Sequence, residues 1–228
     1  MAVNFLEPVI YLLAMGFGLG AYLSTIGGLP YLTFVATGLV ATAAMFGATF
    51  ECTYNAYVQM YYEKAYDAAI TTPLSVEDVV VGEIAWGATR SVLYGTVFLV
   101  VVALFGAVRS PLALLLPPVF FLAGLMFAVI AMTFTAINPN IDYFTFYFAL
   151  FVTPMFMFSG VFFPLDALPA WVQVAAWLTP LSHVVRVARA LALGAADVRH
   201  LADIAWMLVV TVALFPAPLR LMRRRLMR

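Results

Sequence analysis

The strongest constraint on this chain is that residues 8–50 contain no charged side chain. An apolar helix needs roughly 20 residues to cross a bilayer, so this run is long enough for two crossings. The sequence Gly27-Gly28-Leu29-Pro30 lies near its middle, and glycine and proline favour a turn there. We therefore predict two transmembrane helices, over residues 8–26 and 31–50.

The composition agrees with a chain that lies mostly in a membrane. Hydrophobic residues make up 65% of the 228 residues and charged residues 10%, and the mean hydropathy is +1.05. Soluble domains carry roughly 45–50% apolar and about 25% charged residues. The net charge is zero, so a basic surface for nucleic acid is not expected. A single cysteine, Cys52, excludes an internal disulfide and a cysteine-based metal site.

Turn-forming residues divide the rest of the chain into further apolar segments. Arg109-Ser110-Pro111 and Asn138-Pro139-Asn140 interrupt the hydrophobic pattern, because proline and asparagine favour loops. Four more spans are predicted, over residues 84–107, 114–137, 143–163 and 201–219. The predicted fold class is an all-α polytopic membrane protein with six transmembrane helices, in one transmembrane domain that covers residues 1–228.

One apolar segment, residues 164–190, does not fit this count. It is long enough to span, but Pro164, Pro169 and Pro180 divide it. Its tryptophans, Trp171 and Trp177, are typical of the membrane–water interface. We predict a re-entrant pair of short helices that enters the outer leaflet without crossing it. A seventh span is the alternative.

The carboxyl-terminal tail indicates the orientation. Residues 220–228 hold five arginines directly after the last predicted span, and positively charged loops favour the cytoplasm. With six spans, both termini and the segment between spans two and three are then cytoplasmic. We expect a multi-pass protein of the cell membrane (the inner or plasma membrane), whose tail rests on anionic lipid.

The predicted cytoplasmic segment, residues 57–81, has an unusual composition. Residues 57–70 lack glycine and proline, so they favour a helix, and Pro73 ends it. Ser75 followed by Asp78 is typical of a helix amino-terminal cap. Glu63 and Asp67 are spaced to share one helix face. A solvated connector explains these charges but not the accompanying tyrosines, which suit docking on a protein partner or on lipid.

Two stretches resemble the membrane permeases of type-two ABC exporters, in particular the half-size permeases similar to those for polysaccharides, lipo-oligosaccharides and drugs. The first stretch is Tyr61-Tyr62-Glu63-Lys64, then Thr72-Pro73-Leu74-Ser75, Glu77 and Gly82. The second is Ser159-Gly160-Val161-Phe162-Phe163-Pro164-Leu165, then Leu168-Pro169, Trp171-Val172, Thr179-Pro180-Leu181-Ser182-His183 and Arg186.

The resemblance implies a cytoplasmic coupling helix between helices two and three that contacts an ABC ATPase subunit, and two short helices at the outer leaflet. Such permeases usually begin with a longer cytoplasmic segment, whereas residues 1–7 alone precede the first predicted span here. The implied ATPase-coupling residues are Tyr61, Glu63, Lys64, Asp67, Pro73, Leu74 and Ser75. The implied outer signature residues are Gly160, Pro164, Pro169, Trp171, Pro180, His183 and Arg186.

The resemblance also implies the partners and the activity. This chain is expected to bind no cofactor, while ATP and Mg lie on a separate ATPase. A second copy of the chain, or a related permease, and membrane lipids complete the expected assembly. The predicted function is that of a transporter subunit that exports an amphipathic, lipid-linked, glycan or drug-like substrate. A passive channel or a membrane scaffold without ATPase coupling is the alternative, and a membrane-embedded enzyme is a third class.

The residues themselves give no support for catalysis by this chain. Lys64 is the only lysine and follows Glu63, so a phosphate-binding loop of the Gly-Lys-Ser/Thr kind is excluded. A charged residue within a span, Arg90, is a functional candidate by default. The favoured interpretation is that its side chain extends to the membrane interface or pairs with Glu83 or Glu51. His183 and Arg186 lie three residues apart, where a structural role is favoured over contact with an anionic substrate. Gly16 and Gly20 predict that the first helix packs closely on another.

Overall fold

The computed structural model describes residues 9–23 and 25–227, and these residues are mostly helical. Residues 1–7, where the sequence predicts a short cytoplasmic start, lie outside the described residues. A two-stranded antiparallel hairpin, β1 (Thr25–Ile26) and β2 (Leu29–Pro30), contains the turn predicted at residues 27–30. The helices are α1 (Val9–Ala21), α2 (Tyr31–Tyr62), α3 (Ala65–Ile70), α4 (Val76–Leu104), α5 (Pro111–Ile137), α6 (Tyr143–Met157), α7 (Ala170–Leu178), α8 (Pro180–Leu193) and α9 (Arg199–Leu226).

Within the described part of the chain, four helices are long and apolar enough to cross a membrane, namely α2, α4, α5 and α9. The predicted all-α membrane architecture is therefore present, but two of the six predicted spans correspond to shorter apolar helices. These are α1 and α6, which have between 10 and 17 residues. The hairpin occupies the end of the first predicted span. In the fifth, Gly160 adopts a left-handed φ of 82°, which favours a turn over helix.

Helix α2 is the central helix of the bundle, and it packs against α4, α5 and α8. Almost its entire apolar length is buried, which explains why it is apolar on every face. The packing predicted for the first helix is also present. A Cβ atom added at Gly16 would lie 3.1 Å from Cδ1 of Leu32, so the absent side chain lets α1 approach α2 closely.

The long helices end at two common levels. At one, here called the tail end, the Arg223 guanidinium lies 3.3 Å from Glu77, and Arg225 donates to the Thr135 carbonyl at 2.6 Å. At the other, here called the hairpin end, the Arg189 guanidinium donates to the Gly160 carbonyl at 2.9 Å. The carboxyl-terminal tail and the connection between α2 and α4 therefore share one end of the bundle, as the predicted order of spans requires.

Candidate functional site: the connecting segment and the ion pairs around it

The segment that joins α2 to α4 is shorter than the sequence predicts. Helix α2 continues to Tyr62, and Lys64 takes a left-handed φ of 56°. The prediction of a single helix over residues 57–70 is therefore wrong. Only residues 63–75, here called the connecting segment, remain between the long helices, instead of 57–81. A non-glycine residue with positive φ is uncommon and disfavours a continuous helix.

The charged and aromatic side chains predicted for ATPase coupling are exposed on this segment and on the last turn of α2. Tyr61 keeps 52% of its surface accessible, and Glu63 is also exposed. The ammonium of Lys64 lies 3.8 Å from Asp67 and 5.2 Å from the centre of the Tyr61 ring. Tyr66 instead points inward, where burial raises the pKa of its hydroxyl. The connecting segment thus presents an aromatic and acidic surface.

The start of α4 is fixed by the predicted cap. The Ser75 hydroxyl accepts the Asp78 backbone N–H at 3.1 Å, and the Ser75 N–H donates to the Asp78 carboxylate at 2.9 Å. This reciprocal capping box confirms the prediction from sequence and stabilises the first turn. Pro73 and Leu74 lie exposed just before it. The direction of α4 is therefore set where the connecting segment ends.

A buried ion pair lies between α2 and α4, deeper in the bundle. The Arg90 guanidinium lies 2.9 Å from the Glu51 carboxylate, of which 2% is exposed. Asn55 donates to the same carboxylate at 2.7 Å, and Arg90 lies 5.5 Å from the centre of the Trp86 ring. Of the two pairings predicted for Arg90, the one with Glu51 is confirmed.

At the hairpin end, His183 and Arg186 hold α8 against α9. Nδ1 of His183 lies 2.7 Å from the Asp203 carboxylate, and Nε of Arg186 donates to the same oxygen at 3.1 Å. Nε2 of His183 lies 2.8 Å from the Trp177 carbonyl. The His183 ring also stacks on Trp206 at 4.0 Å. The structural role favoured for His183 and Arg186 agrees with these contacts.

The prolines among the remaining outer signature residues lie at the starts of helical elements between α6 and α8. Pro164 precedes a 3-10 turn, Pro169 precedes α7, and Pro180 begins α8. Trp171 on α7 keeps 75% of its surface exposed. The two predicted short helices are present. Neither is among the helices long enough to cross a membrane, so a seventh span is not supported.

Comparison with known protein families shows to which family this chain belongs. The model of the ABC-2 type transporter family matches residues 1–193. The chain belongs to the ABC-2 type transporter family. It is 41% identical to Nodulation protein J of Rhizobium leguminosarum bv. viciae, over 99% of this chain and 87% of that protein. Nodulation protein J of Sinorhizobium fredii is 42% identical over 82% of this chain and 71% of that protein.

A more distant relative carries a name that describes transport. The Inner membrane transport permease YadH of Escherichia coli is 24% identical over 90% of this chain and 80% of that protein. The family resemblance seen in the two sequence stretches is thereby confirmed.

Two residues of this ABC-2 chain that the sequence analysis missed organise its hairpin end. Asp203 joins His183 and Arg186, and the signal in the sequence was a carboxylate inside the otherwise uncharged residues 201–219, which requires a partner. Arg189 donates to the Phe34 carbonyl at 3.1 Å and lies 3.8 Å from the centre of the Phe34 ring. Its partners are carbonyls from distant parts of the chain, so no local sequence pattern identifies them.

Proposed function

We propose that this ABC-2 chain is the membrane subunit of an ATP-driven exporter and that a separate ATPase subunit drives it through the connecting segment. The observation that carries the proposal is the six-residue helix α3, held between two helices long enough to span. A helix this short is not stable alone in water. Here it is anchored by buried Tyr66 at one face, while the opposite surface is free to dock.

The chemistry of this surface suits a basic cleft on the ATPase. Glu63 is exposed and has no ion-pair partner among residues 9–23 and 25–227, so a cation of the partner fits beside it. The exposed rings of Tyr61 and Tyr62 supply apolar contact area, as aromatic residues do at many interfaces. Because the capping box fixes the start of α4, a push on the connecting segment tilts that helix.

The proposed topology has six crossings, with both termini in the cytoplasm of a cell-membrane protein. The four long helices supply four of them, while α1 and α6 cross with help from the loops that follow each helix. The arginine-rich tail and the connecting segment lie at the same end of the bundle, and cytoplasmic segments favour arginine and lysine. The tail end is then cytoplasmic.

The proposed substrate is an amphipathic molecule, of the lipid-linked, glycan or drug-like kinds. Two apolar grooves flank α6, one of about 470 Å³ against α7 and one of about 440 Å³ against α5. Such surfaces accommodate acyl chains or aromatic rings. We propose that two copies pair, or one copy with a related permease, because closed two-fold assembly is the commonest solution. ATP and Mg are bound by the ATPase subunits.

Reconstitution tests the exporter proposal. Vesicles that contain this chain and its co-purifying ATPase are expected to move an amphipathic probe in the presence of ATP and Mg and not without ATP. The mass of the active complex, after subtraction of detergent and ATPase, is expected to equal two permease chains. Equal flux with and without ATP would favour a passive channel, and absence of flux and of an ATPase would favour a scaffold.

We predict that Pro73→Ala separates ATPase binding from transport. Pro73 lies between α3 and the cap of α4, so its loss relaxes the angle between them without removing the docking surface. ATPase co-purification should stay within about twofold of wild type, since Glu63 and the tyrosines are unchanged. Transport per ATP hydrolysed should fall severalfold. Pro111→Ala, at the start of α5, is the matched control, and an unchanged ratio in Pro73→Ala would contradict the prediction.

We predict that the loop before α9 lies outside the cell. Asp197 is exposed at the hairpin end, opposite the connecting segment. A cysteine at Asp197, in a Cys52→Ala background, should react with a membrane-impermeant maleimide on intact cells. A cysteine at Thr72, in the connecting segment, should react only after lysis. The reverse pattern of labelling would overturn the proposed topology.

A further inference from the structure

A polar cavity of about 260 Å³ lies between α2 and α4. It differs from the two apolar grooves around α6, because charged, amide and indole groups line most of it. Here called the α2–α4 cavity, it is lined by Glu51, Asn55, Val58, Gln59, Glu63, Trp86 and Arg90.

Polar residues of α2, together with Glu63 directly after it, form a regular stripe along this cavity. Glu51, Asn55, Gln59 and Glu63 follow one another every four residues, the spacing that keeps side chains on one helix face. This part of α2 contains two π-helical turns, Glu51–Asn55 and Val58–Tyr62. Such turns are rare and occur frequently at functional sites. Similar turns occur in α1 and α6, so the polar side chains along the cavity, and not the turns alone, distinguish this stripe.

The lengths of the two helices place the cavity at headgroup depth. Because a helix rises about 1.5 Å per residue, a hydrocarbon core of roughly 30 Å takes about 20 residues. Counted from Tyr31, where α2 begins, these residues end near Glu51. Counted back from Leu104, where α4 ends, they end near Trp86. Both helices thus leave the hydrocarbon core at the level of the cavity, and tryptophan is enriched at that level.

The deep side of the cavity holds the Arg90–Glu51 ion pair, whose guanidinium keeps unused donors, and the open side holds a single carboxylate. On the deep side, Arg90 uses Nη1 for Glu51, while its Nε and Nη2 have no hydrogen-bond partner among the described residues. On the open side lies the exposed carboxylate of Glu63, which has no ion-pair partner in the described part of the chain. Two carboxylates and one guanidinium line the cavity, so a purely anionic ligand is disfavoured. A ligand with a phosphate and an ammonium matches both ends.

We infer that the α2–α4 cavity binds the phosphoammonium headgroup of a zwitterionic phospholipid from the surrounding leaflet. Arg90 binds the phosphate, because a guanidinium presents paired donors to phosphate oxygens. Glu63 binds the ammonium, while the Asn55 and Gln59 amides hydrogen-bond the remaining oxygens. Trp86 packs against the glycerol region at the interface. This site goes beyond the proposed export function. Because Glu63 is also the residue proposed to pair with a cation of the ATPase, the two cations compete for this carboxylate, and the site is tested in the chain without its ATPase.

Native mass spectrometry of the purified full-length chain tests the site. The chain is taken from lipid discs that contain phosphatidylethanolamine and phosphatidylglycerol in equal amounts. We expect one retained phosphatidylethanolamine per chain, with a preference of about tenfold over phosphatidylglycerol. The double variant Glu51→Gln/Arg90→Gln removes the cation without leaving Glu51 as an unpaired carboxylate, and it should abolish the preference.

Matched variants separate this site from general lipid contact. Glu77→Gln/Arg223→Gln removes an exposed ion pair at the same end of the bundle, and it should retain the lipid as wild type does. Trp86→Ala should lower retention severalfold, whereas Trp171→Ala, at an exposed tryptophan on α7, should not.

Three results would overturn the inference. Equal retention of both lipids by the wild-type chain would show that the cavity does not distinguish the two headgroups. Unchanged retention in both Glu51→Gln/Arg90→Gln and Trp86→Ala would locate the lipid elsewhere. In a third experiment, soluble O-phosphoethanolamine is added in place of lipid. If the chain retains it as strongly as it retains the lipid, the ligand is a free metabolite and not a membrane lipid.

Discussion

Glu63→Arg is expected to abolish efflux and to release the ATPase from the purified complex. The substitution places a cation where the proposed interface supplies a basic residue of the partner, so attraction becomes repulsion. A desolvated charge left without its partner costs about 2–5 kcal/mol, which weakens association about thirtyfold or more. The measurement is co-purification of the ATPase together with ATP-dependent efflux. Membrane insertion should stay normal, because Glu63 is exposed.

Two control variants distinguish coupling from a general charge effect. Glu63→Gln removes the charge without reversing it and should fall between the wild type and Glu63→Arg. Arg199→Glu reverses a charge on a side chain that is 94% exposed at the hairpin end, and it should leave ATPase binding intact. Wild-type co-purification and efflux in Glu63→Arg would make the connecting segment an ordinary loop, and the proposed mechanism would lose its main support.

Local signals in the sequence predicted several parts of the fold correctly. The cap at Ser75 and the turn at residues 27–30 depend on neighbouring residues alone, and both are present. The proline pattern of residues 164–190 predicted two short helices, because each proline removes a backbone donor and ends or begins a helix. The family could also be recognised from the sequence, because the order and spacing of the two motif stretches are visible without any knowledge of packing.

Features that depend on tertiary partners were predicted only in part: the pairing of Arg90 with Glu51 was one of two options, but its effect on α2 was not foreseen. Glu51 was taken to mark the end of the second span, since charge usually marks the membrane surface. Its pairing with Arg90, on another helix, instead lets α2 continue for three further turns. Similarly, the role of Asp203 follows from its contacts with α8. An isolated charge in an apolar sequence thus marks the exit from the hydrocarbon core, a buried pair or, as at Glu51, both, and only the facing helix reveals the pair.

The length of a helix is a second property that the apolar pattern does not determine. Residues 8–26 and 143–163 are as apolar as the other predicted spans, yet α1 ends at Ala21 and α6 at Met157. The last two residues of the first predicted span, Thr25 and Ile26, form strand β1 of the hairpin instead of helix. In α6 the end is followed by the turn at Gly160, whose carbonyl binds Arg189. Both ends lie where the hairpin end closes over the bundle.

The largest effect on stability is expected at the buried pair between α2 and α4. Glu51→Leu leaves the Arg90 guanidinium, of which 13% is exposed, without its anionic partner in the bundle. Removing one member of a buried pair typically costs about 3–5 kcal/mol, because the remaining charge stays desolvated. We therefore expect a large fall in the yield of folded protein and in the detergent concentration at which the helices unfold. Circular dichroism during titration with sodium dodecyl sulfate measures the change.

The double variant Glu51→Leu/Arg90→Met decides whether the pair stabilises the fold or serves another purpose. Replacement of a buried ion pair by apolar residues of similar volume is often neutral or stabilising, so the double variant should recover most of the lost stability. A single variant with wild-type stability would mean that Arg90 reaches water or lipid phosphate without Glu51. Recovery of stability without recovery of efflux would show that the charges are retained for transport, since apolar packing alone then suffices to hold α2 against α4.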